Sequence, residues 1–378
     1  MEVLKLIQEN PRWEQILAAA PYYVTAKWDG DYVLLKYNQL ASDFTNPIVR
    51  ECRGCIFYLP HKNHKLASVV CFPFTKFGNY GESYVPEIDW ATAKVQEKVD
   101  GSLIKMWYHN DRWHISTNGT IDAAEAPTNF ENVNFHDIVM RAIEAKGDPI
   151  GFFDTLNPRY TYMFELVSPE TRVTIAYPET KLYFLGCRDM VTFEEKGVFS
   201  QTLSFVSRVA QPKRYPLSSL EDCLNAVAAM KADEEGFVIC DAHYNRIKIK
   251  SPEYLIASRI RNNGAITTRT ILELIREDKL DDFLAYAEDY QGFVDEVIKG
   301  YNNLIAAYND AIQLVFFSDE YDIVDKRDLA LQTTHLPAHI RAILFAHYDH
   351  KISNVYDWIA ALPVSTLTEL VKQYKVAA

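Results

Sequence analysis

Along the first 250 residues, apolar and polar positions alternate in short runs of period two, broken by turn residues. This pattern predicts strands near 22–28, 32–37, 54–59, 67–72, 94–98, 103–108, 112–117, 161–167, 172–177, 181–187, 236–241 and 246–250. Helical spacing appears at 134–146 and 218–231. Val3, Leu4 and Ile7 mark a short amphipathic helix that Asn10-Pro11 ends. At Ser251-Pro252-Glu253 the character changes: serine suits an N-cap, proline the first helical position and glutamate the first turn. From there to Ala378 the spacing is helical, most clearly in the stripe Phe293, Val297, Tyr301, Leu304, Tyr308, Ile312 and Val315, with further helices near 268–277, 338–347 and 366–375. The expected fold is α+β: a domain of mainly antiparallel sheets with flanking helices over 1–250, and an all-α domain over 251–378.

Composition narrows the class. A chain of 378 residues, 48% hydrophobic and 24% charged, can bury two globular cores. No stretch approaches the ~20 apolar residues of a membrane helix, and Met1–Trp13 carries too many charges for a signal peptide, so no membrane partner is expected. The cysteines at 52, 55, 71, 187, 223 and 240 lie mostly inside predicted elements, which suggests reduced thiols and a cytoplasmic protein. Cys52-Arg53-Gly54-Cys55 lacks a second ligand pair, and His335 and His339 flank Pro337 without an adjoining glutamate, so neither reads as a zinc site. The net charge of −12 argues against broad, non-specific nucleic-acid binding. Residues 251–378 hold 12 Lys+Arg and 19 Asp+Glu, leaving only −5 over residues 1–250, where a compact phosphate site can still form.

Candidate chemistry centres on a four-residue pattern, Lys-x-Asp-Gly, which occurs at Lys27-Trp28-Asp29-Gly30 and at Lys98-Val99-Asp100-Gly101. Each copy reads locally as strand, tight turn and strand, the commonest hairpin signal. Only the second has company. Glu51-Cys52-Arg53-Gly54 and Phe74-Thr75-Lys76-Phe77-Gly78-Asn79 precede it, and Tyr162-Met163-Phe164-Glu165-Leu166, Glu234-Glu235-Gly236-Phe237-Val238-Ile239 and Ile247-Lys248-Ile249-Lys250 follow. Strand periodicity puts Lys248 and Lys250 on one face, where two ammonium groups repel unless an anion such as a triphosphate lies between them. Glu165 interrupts an apolar strand, so its carboxylate is either exposed or paired.

In order and spacing these elements resemble the covalent nucleotidyltransferase superfamily, specifically the T-even phage RNA ligase 1 family, over roughly residues 30–252. The resemblance implies an ATP-dependent RNA ligase that joins 5′-phosphate and 3′-hydroxyl RNA ends through a lysine–AMP intermediate and an adenylylated RNA 5′ end, in RNA repair. Lys98 is then the nucleophile and must attack as a neutral amine, which nearby cations and partial burial favour. Lys248 and Lys250 would bind phosphates, activate Lys98 and stabilise departing pyrophosphate. Glu165 would face the ribose or a metal, Glu235 would help hold Mg2+ or Mn2+, and Glu234 is its neighbouring alternative. Val238 and Leu185 would wall the adenine, Glu97 would accept from its N6 amino group, and Arg53 and Lys76 would meet ribose or phosphate oxygens. Asp100 would fix the turn, and Gly101 would admit the nucleotide. Asn118 stands where the family often has a lysine, so it can hydrogen-bond a phosphate or ribose but brings no charge.

A DNA ligase or a capping guanylyltransferase is the alternative within catalysis, but both usually continue into a small β-barrel where this chain turns helical. A non-catalytic RNA-end-binding protein on the same scaffold is the alternative outside catalysis; the presence of Lys98 and Lys250 speaks against it. The helical C-terminal domain would select RNA. A nicked tRNA substrate, a monomer, and a host-cytoplasm location if phage-encoded complete the expectation.

Overall fold

Backbone pairing sorts the strands into three antiparallel sheets. The computed structural model describes residues 1–126, 128, 130, 132–196, 204–254, 266–276, 280–284, 290–352 and 354–375. The chain divides into two units, Met1–Tyr37 with Ala41–Gly264, and Asn38–Leu40 with Ala265–Ala378. It is a mixed α+β protein.

In the larger unit the first sheet orders β1 (Val24–Asp29), β2 (Tyr32–Tyr37), β3 (Arg53–Tyr58) and β4 (Ser68–Cys71). The second places β6 (Ser102–His109) between β7 (Arg112–Thr117) and β8 (Tyr160–Val167), and continues to β9 (Lys181–Asp189) and β10 (Glu195–Lys196). The third runs β11 (Arg214–Tyr215), β5 (Lys94–Glu97), β12 (Gly236–Cys240), β13 (Arg246–Lys250). Each sheet buries one face under helices. Val3, Ile7, Trp13 and Leu17 pack on Val33, Leu35 and Phe57 of the first. Ile138, Val139 and Ile143 pack on Ile104, Phe164 and Leu182 of the second. Cys223 and Val227 pack on Val95, Phe237 and Ile247 of the third. All six cysteines are buried and unbridged.

The two Lys-x-Asp-Gly copies, expected to share a hairpin shape, do not. The first is a hairpin: Asp29 opposes Tyr32, and Gly30, at φ +56°, takes the left-handed backbone of the turn. The second crosses between sheets. β5 pairs only with β11 and β12, and β6 only with β7 and β8, so Val99–Gly101 carry the chain from the third sheet to the second. Side-chain bonding explains the difference. Asp29 is exposed, whereas Asp100 is buried. Asp100 Oδ2 accepts the Thr174 and Ile175 backbone N–H groups at 2.8 and 2.6 Å, and its Oδ1 accepts the Tyr254 hydroxyl at 2.8 Å. Its own N–H donates to the Tyr177 hydroxyl at 3.3 Å.

The same bonds account for a strand that does not form. Residues 172–177 alternate like a strand, yet they follow a short 3-10 turn, Pro169–Thr171, as irregular chain. Backbone donors committed to a buried carboxylate cannot also join a ladder. β10 and β11 have two residues each, too few to show a period, and only pairing defines them.

In the smaller unit every regular element among the described residues is a helix. The helix Gln291–Phe317 buries Val297, Tyr301, Leu304, Tyr308, Ile312 and Val315, with Val294 rather than Phe293 at the fully buried first position. Ser251 Oγ accepts the Tyr254 N–H at 3.3 Å, and residues 252–254 are helical; the continuation lies outside the described residues. Among the described residues no helix is long and apolar enough to cross a membrane.

Replacing Asp100 with alanine strands two backbone donors and a hydroxyl, and is expected to destabilise the larger unit by about 2–4 kcal/mol. The check is native-state hydrogen exchange: the Thr174 and Ile175 amides should lose protection first, and unchanged protection there would contradict the assignment.

Candidate active site

Strand register builds the centre of the site. Gln96, Val238 and Lys248 stand opposite one another across β5, β12 and β13, and Gly236 stands opposite Lys250. Period two therefore puts Val238, Lys248 and Lys250 on one face. The Lys98 N–H donates to the Gly236 carbonyl at 2.8 Å, which extends the pairing past β5 and sets Lys98 on that face too. Gly236 has φ +139°, and a Cβ there would collide with the Ile249 carbonyl and lie 2.8 Å from Lys250 Cα. Only glycine lets β13 approach this closely, and the approach delivers Glu235 to Lys250.

Two lysines share one oxygen of Glu235. Lys98 Nζ and Lys250 Nζ each lie 2.8 Å from Glu235 Oε1. The Lys98 side chain is 21% exposed, against 3% for Glu235 and for Lys250. Burial works against the charge of Glu235, but Lys250 and then Lys98 outweigh it and hold its carboxyl below the usual range. Glu235 Oε2 is buried without a hydrogen-bond partner. Glu234, the alternative by sequence, lies elsewhere: its Oε2 accepts the Lys231 N–H at 3.3 Å, closing a turn.

Glu165 reaches the cluster from the second sheet. Phe164 and Leu166 face the core, whereas Glu165 pairs across the opposite face with Leu103 and Tyr183. A Cβ at Gly101 would collide with the Leu166 carbonyl and lie 2.9 Å from Glu165 Cγ. The glycine thus admits the neighbouring strand, where the sequence suggested a nucleotide. Burial pushes Glu165 up to about 7, against the pull of Lys98 and Arg53 and with the push of Glu235 and Asp100.

Other expected residues divide. Leu185 and Val238 are half-buried and belong to none of the buried cores, so both remain open to a ligand. Arg53 Nε and Asn118 Oδ1 are buried without partners, and the Arg53 guanidinium lies 5.3 Å from the Phe77 ring. Lys76 is buried, its ammonium 4.6 Å from the Phe44 ring and 5.3 Å from Tyr37. Glu97 pairs with Phe237 on the core-facing side, and its carboxylate accepts the Lys213 N–H at 3.1 Å, so it is not brought to the face of Val238. The carboxylate of Asp100 is wholly engaged in scaffold bonds. His335 and His339 bond the hydroxyls of Tyr321 and Tyr374.

Two residues at the site carried no sequence signal. Tyr254 touches both halves: its hydroxyl bonds Asp100, and its ring lies 5.4 Å from Lys250 Nζ. Tyr177 bonds the Asp100 N–H. A third, Lys105, had one, a lysine inside the apolar run Leu103–Tyr108. It is fully buried and donates to the Gly54 carbonyl, beside Arg53.

Glu165 sets a pH dependence. Its ordinary value is 4.5 and its folded value about 7, so between these the folded state holds more protons than the unfolded and stability falls as pH rises. Glu165→Gln removes this term. Thermal melts without nucleotide or metal should show the variant gaining on wild type from pH 4.5 to pH 7, with the gap constant above; a gap independent of pH would refute it.

Comparison with known proteins places the chain in a family. The RNA ligase family model matches residues 51–254, more than half of the chain. A protein of the Autographa californica nuclear polyhedrosis virus, named as a bifunctional polynucleotide kinase/RNA ligase, is 31% identical over 273 residues, covering 68% of this chain and 37% of the viral one. An RNA ligase of Rhodothermus phage RM378 is 27% identical over 328 residues, covering 71% of this chain and 73% of the phage one. The chain thus spans little more than a third of the viral relative's length and about three quarters of the phage protein's. An archaeal ATP-dependent RNA ligase is a distant structural likeness, at 14% identity and a TM-score of 0.45 over 77% of each chain. By the span of the family match, this chain belongs to the RNA ligase family.

Proposed function

We propose that the chain is an ATP-dependent RNA ligase with Lys98 as its nucleophile. The observation that carries this is the convergence of Lys98 and Lys250 on Glu235 Oε1, with the other oxygen of that carboxylate buried and unpaired. Two ammonium groups gathered at the edge of a half-open face suit a polyphosphate. Lys98 Nζ gives up a proton to solvent through its exposed side and attacks the α-phosphorus of ATP as a neutral amine; the N–P bond forms, the bond to the β-phosphate oxygen breaks, the nitrogen releases its second proton, and pyrophosphate leaves beside Lys248 and Lys250. AMP then passes to an RNA 5′-phosphate, and a 3′-hydroxyl attacks that end, joins the strands and releases AMP.

Leu185 and Val238 would hold the base between them, and the unpaired atoms of Arg53 and Asn118 would meet phosphate or ribose oxygens. Glu235 Oε2 and Glu165 fit a hard divalent cation, magnesium first and manganese as a substitute, which would neutralise phosphate charge when bound. Among the described residues no larger cluster of metal-binding side chains occurs, which suits an ion that keeps water and phosphate ligands. Residues 1–250 would form the adenylyltransferase domain, and the helical residues from 251 an all-α domain that selects the RNA end, nicked tRNA being the expected substrate. A monomer is the expected assembly.

The test mixes the protein with α-labelled ATP and magnesium. Wild type and Lys27→Ala should become labelled, because Lys27 is an exposed hairpin lysine paired with Glu125 at 3.0 Å. Lys98→Ala should lose at least about 1,000-fold. Circularisation of a 5′-phosphorylated single-stranded RNA, compared with sealing of a nicked duplex, then reads which end geometry the ligase takes. Bound ATP without any labelled protein would sink the reading.

A further inference from the structure

A buried charge cluster outside the site joins the two sheets that carry its walls. Arg188 on β9 and Glu195 on β10 are cross-strand neighbours within the second sheet. Arg246 on β13 belongs to the third. Glu195 Oε1 accepts from Arg188 Nη2 at 2.7 Å, and Glu195 Oε2 accepts from Arg246 Nη2 at 2.9 Å, with all three side chains no more than 9% exposed. The Glu195–Arg246 bond is therefore a direct side-chain link between these two sheets, and Arg188 buttresses it from its own side.

The segment between β4 and β5 runs past this link. The Phe72 N–H donates to Thr161 Oγ1 on β8 at 3.1 Å, and the Phe72 ring lies 4.2 Å from the Arg188 guanidinium. The Phe74 ring lies 4.4 Å from the Arg246 guanidinium. Phe77 takes Arg246 at 5.6 Å and Arg53 at 5.3 Å. Gly78 O accepts the Lys248 N–H at 3.1 Å, and the Tyr80 N–H returns to Lys248 O at 2.9 Å. Residues 72–80 thus strap all three sheets together and end on the strand of the phosphate-binding lysines.

Arg246 precedes Lys248 and Lys250 by two and four residues on the same face of β13, and Arg188 follows Leu185 by three on β9. We infer that the Glu195–Arg246 bond, stacked on Phe74, sets the spacing between the Leu185 and Val238 walls and so positions the Lys248–Lys250 strand for the nucleotide. Buried arginines without a ligand role are costly, and a hydrophobic set of similar volume often serves stability as well or better. Arg246 is a positioning residue: its guanidinium is committed to Glu195 and stacked on Phe74, and it acts through the strand it anchors. This inference rests on the ATP-dependent ligase reading.

The experiment compares two variants that each remove one cation from the same cluster. Single-turnover formation of the Lys98–AMP adduct is followed against ATP concentration in the full chain. Arg246→Met, which cuts the link, should raise the half-saturating ATP by about tenfold or more and leave the rate at saturation within about threefold. Arg188→Met, which spares the link, should stay within about threefold on both. An equal rise in both variants, or none in Arg246→Met, overturns the inference. If Arg246→Met does not fold by circular dichroism, Arg246→Lys decides: it keeps the charge on Glu195 but loses the planar stack on Phe74, so half-saturation should rise by about threefold or more, and an unchanged value overturns the inference. Wild type that forms no adduct overturns the ligase reading itself, and this inference with it; wild type that forms one, with an Arg246→Met that binds ATP as tightly, overturns this inference alone.

Discussion

One carboxylate oxygen, Glu235 Oε1, organises the site. With both lysine nitrogens 2.8 Å away, the nitrogens lie within about 5.6 Å of each other. At an effective dielectric constant near 20, each attraction is worth about 6 kcal/mol in Coulomb energy alone, and the repulsion at least about 3 kcal/mol. The carboxylate therefore holds both ammonium groups together, but leaves a net positive charge at the edge of the cleft. Loss of one partner from a buried pair costs about 3–5 kcal/mol, so the arrangement is tightly specified. Gly236 makes it possible, since any side chain there would push β13, and Lys250 with it, away from Glu235.

Lys98 holds its place because the peptide after it changes sheet. In the Lys27 copy the aspartate is exposed and the glycine simply turns the chain. In the Lys98 copy the aspartate is buried where three segments meet, tying its own peptide to the stretch of Thr174, Ile175 and Tyr177 and to Tyr254. Those bonds stop the Lys98 end of β5 from drifting relative to the sheet that carries Glu165. The same four letters thus serve two physical ends, one local and one long-range. The nucleophilic role proposed for Lys98 calls for the long-range kind, because attack in line with a leaving group needs a fixed geometry.

Beyond the cleft, buried charge repeats the same economy at a second junction. Glu195 binds two arginines from two sheets as Glu235 binds two lysines from two segments. Between the junctions, residues 72–80 touch β3, β8 and β13. The larger unit is three small sheets, each with its own core; an apolar cluster that includes Leu34, Ile56, Val70 and Trp107 joins the first to the second, and the Glu195–Arg246 pair ties the second to the third.

Period-two alternation is a local property, and it was enough to locate eleven of the thirteen strands; helical stripes were likewise enough to place the helices of residues 134–146, 218–231 and 291–317. Order and spacing of motifs were enough to choose Lys98 over Lys27 as the expected nucleophile. What the sequence could not determine depends on partners far along the chain. Residues 172–177 alternate properly but lose their ladder donors to Asp100, some 75 positions away. Glu97 and Glu235 are both acidic residues beside a key element, yet register turns one toward a core and the other toward two lysines. Glu195 and Arg246 are unremarkable surface letters until folding brings them within 2.9 Å in the interior. The sequence by itself determined the elements and the candidate chemistry, because both are written in neighbours a few residues apart. Only the tertiary structure decided which charges share a buried oxygen, because desolvation and pairing belong to residues that meet only when the chain has folded.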